Sequence, residues 1–182
     1  MKIAWGITGS GDKFRETYNS MKYLKEKFSK TLTVHVYLSK AGLLVAKYYK
    51  LLSDLQEFDK FYVEEDANTP FLAGMLQTKQ YDLLLIAPAT SNTVAKIVVG
   101  ISDSLLTNAA IQGVKGYIPV YIMPVDFSEG IATTILPNGK KLTLKVRKED
   151  AKNVRLLEEM DGFNVFKEPE EIYQILGLEN MG

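Results

Sequence analysis

A cluster of hydroxyl and amide side chains follows directly after the apolar residues 83–86 and precedes a run with helical apolar spacing. The apolar run is too short to cross a membrane and is typical of a strand buried on both faces. The cluster therefore lies between a predicted strand and a predicted helix, which Ser91 or Asn92 would cap. In open α/β sheets ligands bind at this end of the strands, where hydroxyl groups and helix-start N–H groups can donate to them. The cluster consists of Thr90, Ser91, Asn92 and Thr93.

A glycine-rich loop follows the first predicted strand, residues 2–5, and precedes the first predicted helix. Glycines let a backbone approach a ligand closely, and the N–H groups that open a helix attract phosphate. The loop lacks both the GxGxxG spacing of dinucleotide-binding proteins and the GK[ST] ending of a P-loop, so alone it is a weak signal. Its sequence is Gly6-Ile7-Thr8-Gly9-Ser10-Gly11.

Ser39 occupies a third strand-to-helix corner, after a predicted strand at residues 31–38. It could cap the next helix or contact a phosphate, and the two roles are compatible. His35, the only histidine, lies within the same strand, where a structural role is predicted rather than that of a base. The acidic residues 64–66 are predicted to form a solvated turn, because adjacent carboxylates lack the alternating spacing of a calcium loop.

Strand and helix patterns alternate along the chain, which predicts parallel βαβ units. The expected fold is α/β: a doubly wound, Rossmann-like or flavodoxin-like, mostly parallel sheet with helices on both faces. Two strand patterns flank Asn138-Gly139 and predict a β-hairpin arm at about residues 131–147. Residues 1–182 are expected to form one domain, since no linker or repeat interrupts them. Strands are predicted at residues 2–5, 31–38, 61–63, 81–87, 117–123 and 164–166. Helices are predicted at residues 14–28, 43–52, 69–78, 92–99, 150–160 and 169–176, and one further helix is predicted to begin at a cap at Ser102 or Asp103.

The composition excludes several classes of function. The 182 residues include no cysteine, so disulfides, thiolate catalysis and cysteine-ligated clusters are excluded, and a single histidine argues against a histidine metal centre. The formal net charge is zero, which argues against nucleic acid or an anionic membrane as a partner. No signal peptide or membrane span is visible, so a cytoplasmic protein is expected.

Residues 87–110, APATSNTVAKIVVGISDSLLTNAA, resemble the signature of the FMN-binding flavoprotein family. This family includes phosphopantothenoylcysteine decarboxylase, the lantibiotic decarboxylases and the flavin prenyltransferases. Its Pro-Ala-Ser-Ala-Asn-Thr-type and Gly-Ile-Ala-Asp-Asn-Leu-Leu-type motifs read PATSNT at residues 88–93 and GISDSLL at residues 100–106. The glycine loop and Ser39 match the phosphate-side contacts of the family in order and spacing. Residues 136–172 further resemble the archaeoflavoprotein group, which includes dihydromethanopterin reductases.

The resemblance implies FMN, held without a covalent bond. It also implies a homo-oligomer built from trimers, with the hairpin as a candidate interface arm. Gly9, Ser10 and Ser39 would contact the phosphate side. The remaining implied contacts are Thr90, Ser91, Asn92, Asp103 and Ser104 around the flavin and phosphate, and Met123 and Pro124 near the ring.

Departures from the family pattern bear on the reaction. The decarboxylases use a histidine upstream of the central strand, and residues 72–76 contain none. Asp126 stands where they use an asparagine to hold a substrate carboxylate, and two carboxylates repel unless one is protonated. The cysteine-rich segment that clamps their substrate is also absent. No motif assigns Lys96, Arg147 and Lys148 to the basic set of a prenyltransferase.

An FMN-dependent oxidoreductase that reduces a small molecule such as a pterin is therefore the first hypothesis, since a flavin needs few protein groups for such chemistry. An electron carrier is the second, because basic residues at 140–148 could meet an acidic ferredoxin donor. A flavin-dependent decarboxylase or prenyltransferase-like enzyme of the same family is the alternative. A ligand-free structural domain is disfavoured by the long signature, although fold alone does not decide function.

Overall fold

A computed structural model describes residues 1–178. The main sheet has six strands in the order β3-β2-β1-β4-β5-β8, and all neighbouring strands are parallel. The predicted α/β fold with a mostly parallel sheet is confirmed. The strands are β1 Lys2–Ile7, β2 Thr33–Leu38, β3 Lys60–Val63, β4 Leu83–Ala89, β5 Val120–Pro124, β6 Gly130–Ile135, β7 Lys141–Val146 and β8 Phe163–Val165. The helices are α1 Phe14–Lys27, α2 Lys40–Tyr48, α3 Leu52–Leu55, α4 Leu72–Gln77, α5 Ser91–Val98, α6 Leu105–Lys115, α7 Lys148–Glu158 and α8 Ile172–Ile175, the last preceded by a 3₁₀ turn at Pro169–Glu171.

Helices cover both faces of this sheet, because successive side chains of β1 pack alternately into two different hydrophobic clusters. Ile3 and Trp5 belong to one hydrophobic cluster together with residues of α1, α3 and α8. Ala4, between them, belongs to a second cluster with residues of α4, α5, α6 and α7. Successive side chains of a strand point to opposite faces, so the two clusters lie on opposite sides of one sheet.

The central strand β4 runs through Pro88 to Ala89, two residues beyond the predicted end at residue 87. Proline lacks an N–H group and cannot complete a regular ladder inside a sheet. The register between β4 and β5 shifts between Ile86 and Ala89, and this irregularity accommodates the proline. The extension carries the end of the strand to the cluster that begins at Thr90.

Each predicted helix cap next to the signature motifs is displaced by one or two residues. Thr90, not Ser91 or Asn92, caps α5 and accepts a hydrogen bond from the N–H of Thr93. Ser104, not Ser102 or Asp103, caps α6 in a reciprocal pair with Thr107. In each case the capping hydroxyl lies three residues before the N–H that donates to it, the usual geometry of an N-cap.

The start of α2 lies close to the end of β1. The helix begins at Lys40, three residues earlier than predicted, and Ser39 caps it by accepting from the N–H of Gly42 at 2.9 Å. A Cβ atom at Gly9 would lie 2.6 Å from the Cβ of Ala41, and one at Gly42 would overlap the carbonyl oxygen of Ile7. Glycine at both positions therefore allows helix and loop to touch backbone to backbone.

The predicted hairpin is confirmed as β6 and β7, an antiparallel pair separate from the main sheet. Gly139 adopts a positive φ of 80° in the turn, and Asn138 Oδ1 accepts from the N–H of Lys140. Apolar side chains are exposed on both of its faces. Ile131 is 78% exposed and Ile135 54% on one face, and Leu144 is 56% exposed on the other.

His35 is buried in β2 and its Nδ1 lies 2.7 Å from the hydroxyl of Tyr81. The same hydroxyl lies 2.6 Å from that of Tyr37. Burial, together with the nearby Lys2 and Lys60 ammonium groups, lowers the pKa of His35 to about 4. His35 is thus a hydrogen-bonded core residue, as its place in a strand indicated.

No helix within residues 1–178 is long and apolar enough to cross a membrane. In the same part of the chain, no three carboxylate or imidazole side chains come together as a set that could hold a metal ion.

Candidate functional site

The loops after β1 and β4 meet at the carboxyl edge of the sheet, because the strand order changes direction between these two strands. Thr8 joins them. Its hydroxyl donates to the carbonyl of Pro88 at 2.8 Å and accepts from the N–H of Thr90 at 2.9 Å. Since Thr90 caps α5, this bridge fixes the start of the helix against the glycine loop.

A cavity of about 440 Å³ opens at this junction. That volume lies in the range of small-molecule sites. Its walls are the glycine loop, the start of α5, the end of β5 and the inner face of the hairpin. Five of the predicted site residues line it: Gly9, Ser10, Thr90, Ser91 and Asn92. The other lining residues are Gly11, Asp12, Tyr49, Val125, Asp126, Ala132, Thr134, Leu136, Leu142 and Leu144.

The hairpin supplies the apolar side of the cavity. Ala132 pairs with Leu144 and Thr134 with Leu142, so these four residues share one face of the ribbon. All four line the cavity. One wall of the cavity is therefore an arm that extends from the main sheet. The sequence predicted this arm as a candidate subunit interface and, through residues 140–148, as a contact for a ferredoxin donor, but not as part of the cavity.

The start of α5 supplies hydrogen-bond donors to the cavity. The N–H groups of Ser91 and Asn92, in the first turn of the helix, have no carbonyl partner within it. Asn92 is exposed at this position, and Ser10 on the opposite loop is 9% exposed. Such donors at the positive end of a helix suit a phosphate group.

Two carboxylates, Asp12 and Asp126, line the same cavity. Asp126 accepts a hydrogen bond from the hydroxyl of Ser91. Burial raises the pKa of the Asp12 carboxyl above its ordinary value of 3.8, while Lys13 and the hydroxyl of Thr134 lower it. Asp12 was missed in the sequence because a single carboxylate after a glycine loop has no motif of its own.

The other predicted site residues lie outside the cavity lining. Met123 is fully buried in the core, and Pro124 is buried at the end of β5. Asp103 is exposed and forms an ion pair with Lys96 at 2.9 Å. Ser39 and Ser104 cap their helices, which occupies the hydroxyl of each as an acceptor.

Glu64 connects the two corners at Ser39 and Ser104. Its carboxylate accepts from the N–H of Lys40 at the start of α2 and from the N–H of Leu105 at the start of α6, both at 2.8 Å. The acidic residues 64–66 were predicted to form a solvated turn, but Glu64 is half-buried and neutralises two helix N-termini. No sequence pattern identified this role, because α2 and α6 are distant in the chain.

A second cavity, of about 700 Å³, adjoins the first. The two share Gly11, Asp12, Tyr49, Thr134 and Leu136 in their linings. Charged groups of both signs surround the second cavity, and one of them, Lys13, pairs with Glu168 at 2.9 Å. Polar ligands therefore suit the second cavity better than the first.

Comparison with known proteins identifies the family. A family model described as Flavoprotein matches residues 1–176. The chain belongs to the flavoprotein family. An uncharacterised protein of Methanocaldococcus jannaschii is 51% identical over 97% of this chain and 94% of that protein. The dihydromethanopterin reductase (acceptor) of the same organism is 34% identical over 98% of this chain and 96% of the enzyme.

Solved structures of flavoproteins share the fold. DmrB of Burkholderia xenovorans, solved in complex with FMN and described as a cubic protein cage for redox transfer, has a TM-score of 0.79 and 31% identity. The match covers 97% of this chain and 93% of DmrB. A dodecameric FMN-dependent Ubix-like decarboxylase of Escherichia coli O157:H7 has a TM-score of 0.67 at 18% identity, over 92% and 80% of the two chains, and shares the fold alone.

Proposed function

We propose that this flavoprotein binds FMN and acts as an oxidoreductase that passes electrons to a small molecule such as a dihydropterin. The observation that carries the proposal is the cavity at the switch point of the sheet, where the glycine loop and the free N–H groups of α5 face each other. The similarity to a dihydromethanopterin reductase over nearly the whole chain supports the reaction, and that to FMN-bound DmrB supports the cofactor.

The residues of the cavity fit FMN. Gly9, Ser10 and the N–H groups of Ser91 and Asn92 would hold the phosphate side, because a dianion is matched by N–H and hydroxyl donors. The apolar hairpin face, with Leu142 and Leu144, would cover the flat ring. A flavin bound there supplies reversible two-electron chemistry, while the protein binds and orients it. Contacts from Ser39, Asp103, Ser104, Met123 and Pro124 remain predictions.

Ferredoxin is the proposed class of electron donor. The turn of the hairpin and the start of α7 carry the exposed Lys140 and Lys148, which an acidic protein would complement. The decarboxylase alternative is weaker, because Asp126 places a negative charge in the cavity where those enzymes hold a substrate carboxylate.

The first test is the visible spectrum of the purified protein, with FMN identified by chromatography, followed by turnover of dihydromethanopterin with a chemical reductant.

Replacing Asn92 by aspartate should lower FMN affinity at least about tenfold, because a carboxylate at the start of α5 repels phosphate. The same change favours the helix itself, so the melting temperature should not fall. Asn19→Asp, on the exposed side of α1, is the matched control and should bind FMN like the wild type. A colourless protein that takes up no FMN would contradict the proposal.

A homo-oligomer assembled from trimers is proposed as the working form, with the hairpin at its interface. A two-stranded ribbon with apolar residues on both faces is marginal in water by itself and gains from being covered. Lysine at Ile131, which is 78% exposed and lines neither cavity, is expected to shift the mass measured by light scattering towards the monomer. Leu44→Lys, at a residue 67% exposed on α2, is the control for added charge outside the hairpin. An FMN-loaded wild-type monomer would refute the assembly.

A further inference from the structure

Two ionisable residues, Asp12 and Tyr49, lie where the two cavities meet and line both of them. If FMN occupies the first, a small acceptor in the second lies beside it, with Asp12 at the boundary. Hydride addition to a C=N bond, as in a dihydropterin, delivers two electrons and one proton to the carbon. The nitrogen then needs a second proton, and a group beside the point where flavin and acceptor meet is placed to supply it.

We propose that Asp12 is the proton donor to the electron acceptor, an inference that rests on the proposed function. The hydride leaves the reduced flavin and forms the new C–H bond of the acceptor. The Asp12 carboxyl gives its proton to the acceptor nitrogen, which forms the N–H bond, and the resulting carboxylate takes a proton from water. The flavin is oxidised by two electrons and the acceptor reduced by two, so the step needs no further co-reactant.

The surroundings of Asp12 make ionisation of its carboxyl less favourable than in water. The side chain is partly buried, and two other carboxylates, Glu16 and Asp126, act on it with negative charge. The opposing groups are Lys13 and Thr134, and Lys13 is already paired with Glu168. The pKa of the Asp12 carboxyl is raised overall, with burial as the largest cause.

Tyr49 is less suited to this role, because burial raises the pKa of its hydroxyl above the ordinary value of 10.0 and makes it a far weaker acid than a carboxyl. Asp126 is also less suited. It lines only the first of the two cavities, and its carboxylate accepts a hydrogen bond from the hydroxyl of Ser91. Its negative charge instead makes ionisation of Asp12 less favourable. Asp126 therefore acts on the reaction through Asp12, as a positioning residue.

The test compares the FMN-loaded wild type with Asp12→Asn. Turnover of dihydromethanopterin should fall about 100-fold or more in the variant, the usual range for loss of a general acid. Both proteins are compared at saturating FMN, and reduction of ferricyanide, which accepts single electrons and needs no proton, serves as the reference, so the ratio of dihydromethanopterin turnover to ferricyanide reduction should fall by the same factor. Wild-type turnover should decrease as the pH rises through the pKa of Asp12, and this limb should be absent in the variant. Asp12→Glu, which retains a displaced carboxyl, should recover part of the turnover and the limb.

Carbon-13 NMR of aspartate carboxyls in the FMN-loaded protein gives a readout independent of turnover. The signal that is missing from the Asp12→Asn spectrum belongs to Asp12. Its pKa should lie above 3.8 in the wild type and should be lower in Asp126→Asn. Asp161→Asn, at an exposed residue outside both cavities, should remove only its own signal. Equal turnover in wild type and Asp12→Asn, or a fall in both acceptor and ferricyanide activities, would overturn the role of Asp12 while leaving the flavoprotein function intact. A wild type that reduces ferricyanide but not the dihydropterin would overturn the acceptor and the role of Asp12 together.

Discussion

Replacing Gly42 by alanine is expected to lower the free energy of unfolding by about 3 kcal/mol, the upper part of the usual range for forcing an extra methyl into a packed site. The added Cβ would overlap the carbonyl oxygen of Ile7 and lie 3.2 Å from the carbonyl carbon. Both atoms belong to the backbone of β1, a strand hydrogen-bonded on both sides, so they cannot rotate away as a side chain could. Urea denaturation followed by circular dichroism measures the change.

Gly113→Ala is the matched control for this prediction. Gly113 is also buried in a helix, but its added Cβ would meet the side chain of Val120 at 3.3 Å rather than backbone. Alanine favours a helix over glycine by about 1 kcal/mol at both positions. This gain offsets the contact with a side chain at Gly113, but not the overlap with backbone at Gly42. The two variants should therefore differ clearly in their denaturation midpoints. Equal midpoints would show that α2 and β1 do not approach as closely as described.

Lowering the pH is expected to destabilise the fold through His35 at pH values where the histidine of the folded protein is still neutral. The unfolded chain binds a proton at this residue near pH 6.5, whereas the folded chain does so only near 4. Between these values the unfolded state carries more protons, so stability falls as the pH falls. The stability is fully present above 6.5, and the loss on acidification is on the order of 3 kcal/mol.

His35→Gln isolates this contribution, because carboxylates also titrate at the acid end of the same range. The difference in unfolding free energy between wild type and variant should change between pH 6.5 and 4 and be constant above it. His35 is the only histidine of the chain, so the single imidazole C–H signal in a proton NMR titration reports its pKa directly. A titration midpoint near 6.5 would refute the account of this buried group.

The order of strands and helices could be predicted from the sequence because the rule connecting pattern to structure is local. Apolar runs of strand length alternate with helical spacing, and polar corners follow the strands at Gly9, Ser39 and Thr90. The observed ends of helices differ from the predicted ones where a single side chain determines where the helix begins. Thr90 and Ser104, rather than their neighbours, had the position from which to cap a helix.

The candidate site was only partly predictable, because its geometry depends on contacts between distant residues. The donors at Ser10, Ser91 and Asn92 follow strands, and that position alone brings them to one edge. The same position does not determine which way a strand-end side chain points, and Met123 points into the core. Glu64 was assigned to solvent because nothing near it in sequence indicates that α6 begins beside it.

The hairpin has a consequence for how binding should be measured. It forms one wall of the cavity while its outer face, with Ile131 and Ile135, is exposed. If a second subunit covers that outer face, as proposed, it also holds the wall in place. Self-association and ligand binding are then thermodynamically linked, and each strengthens the other by the same factor. An apparent dissociation constant for the ligand then depends on the concentration of the protein itself, and comparisons between variants are meaningful only at equal subunit concentration.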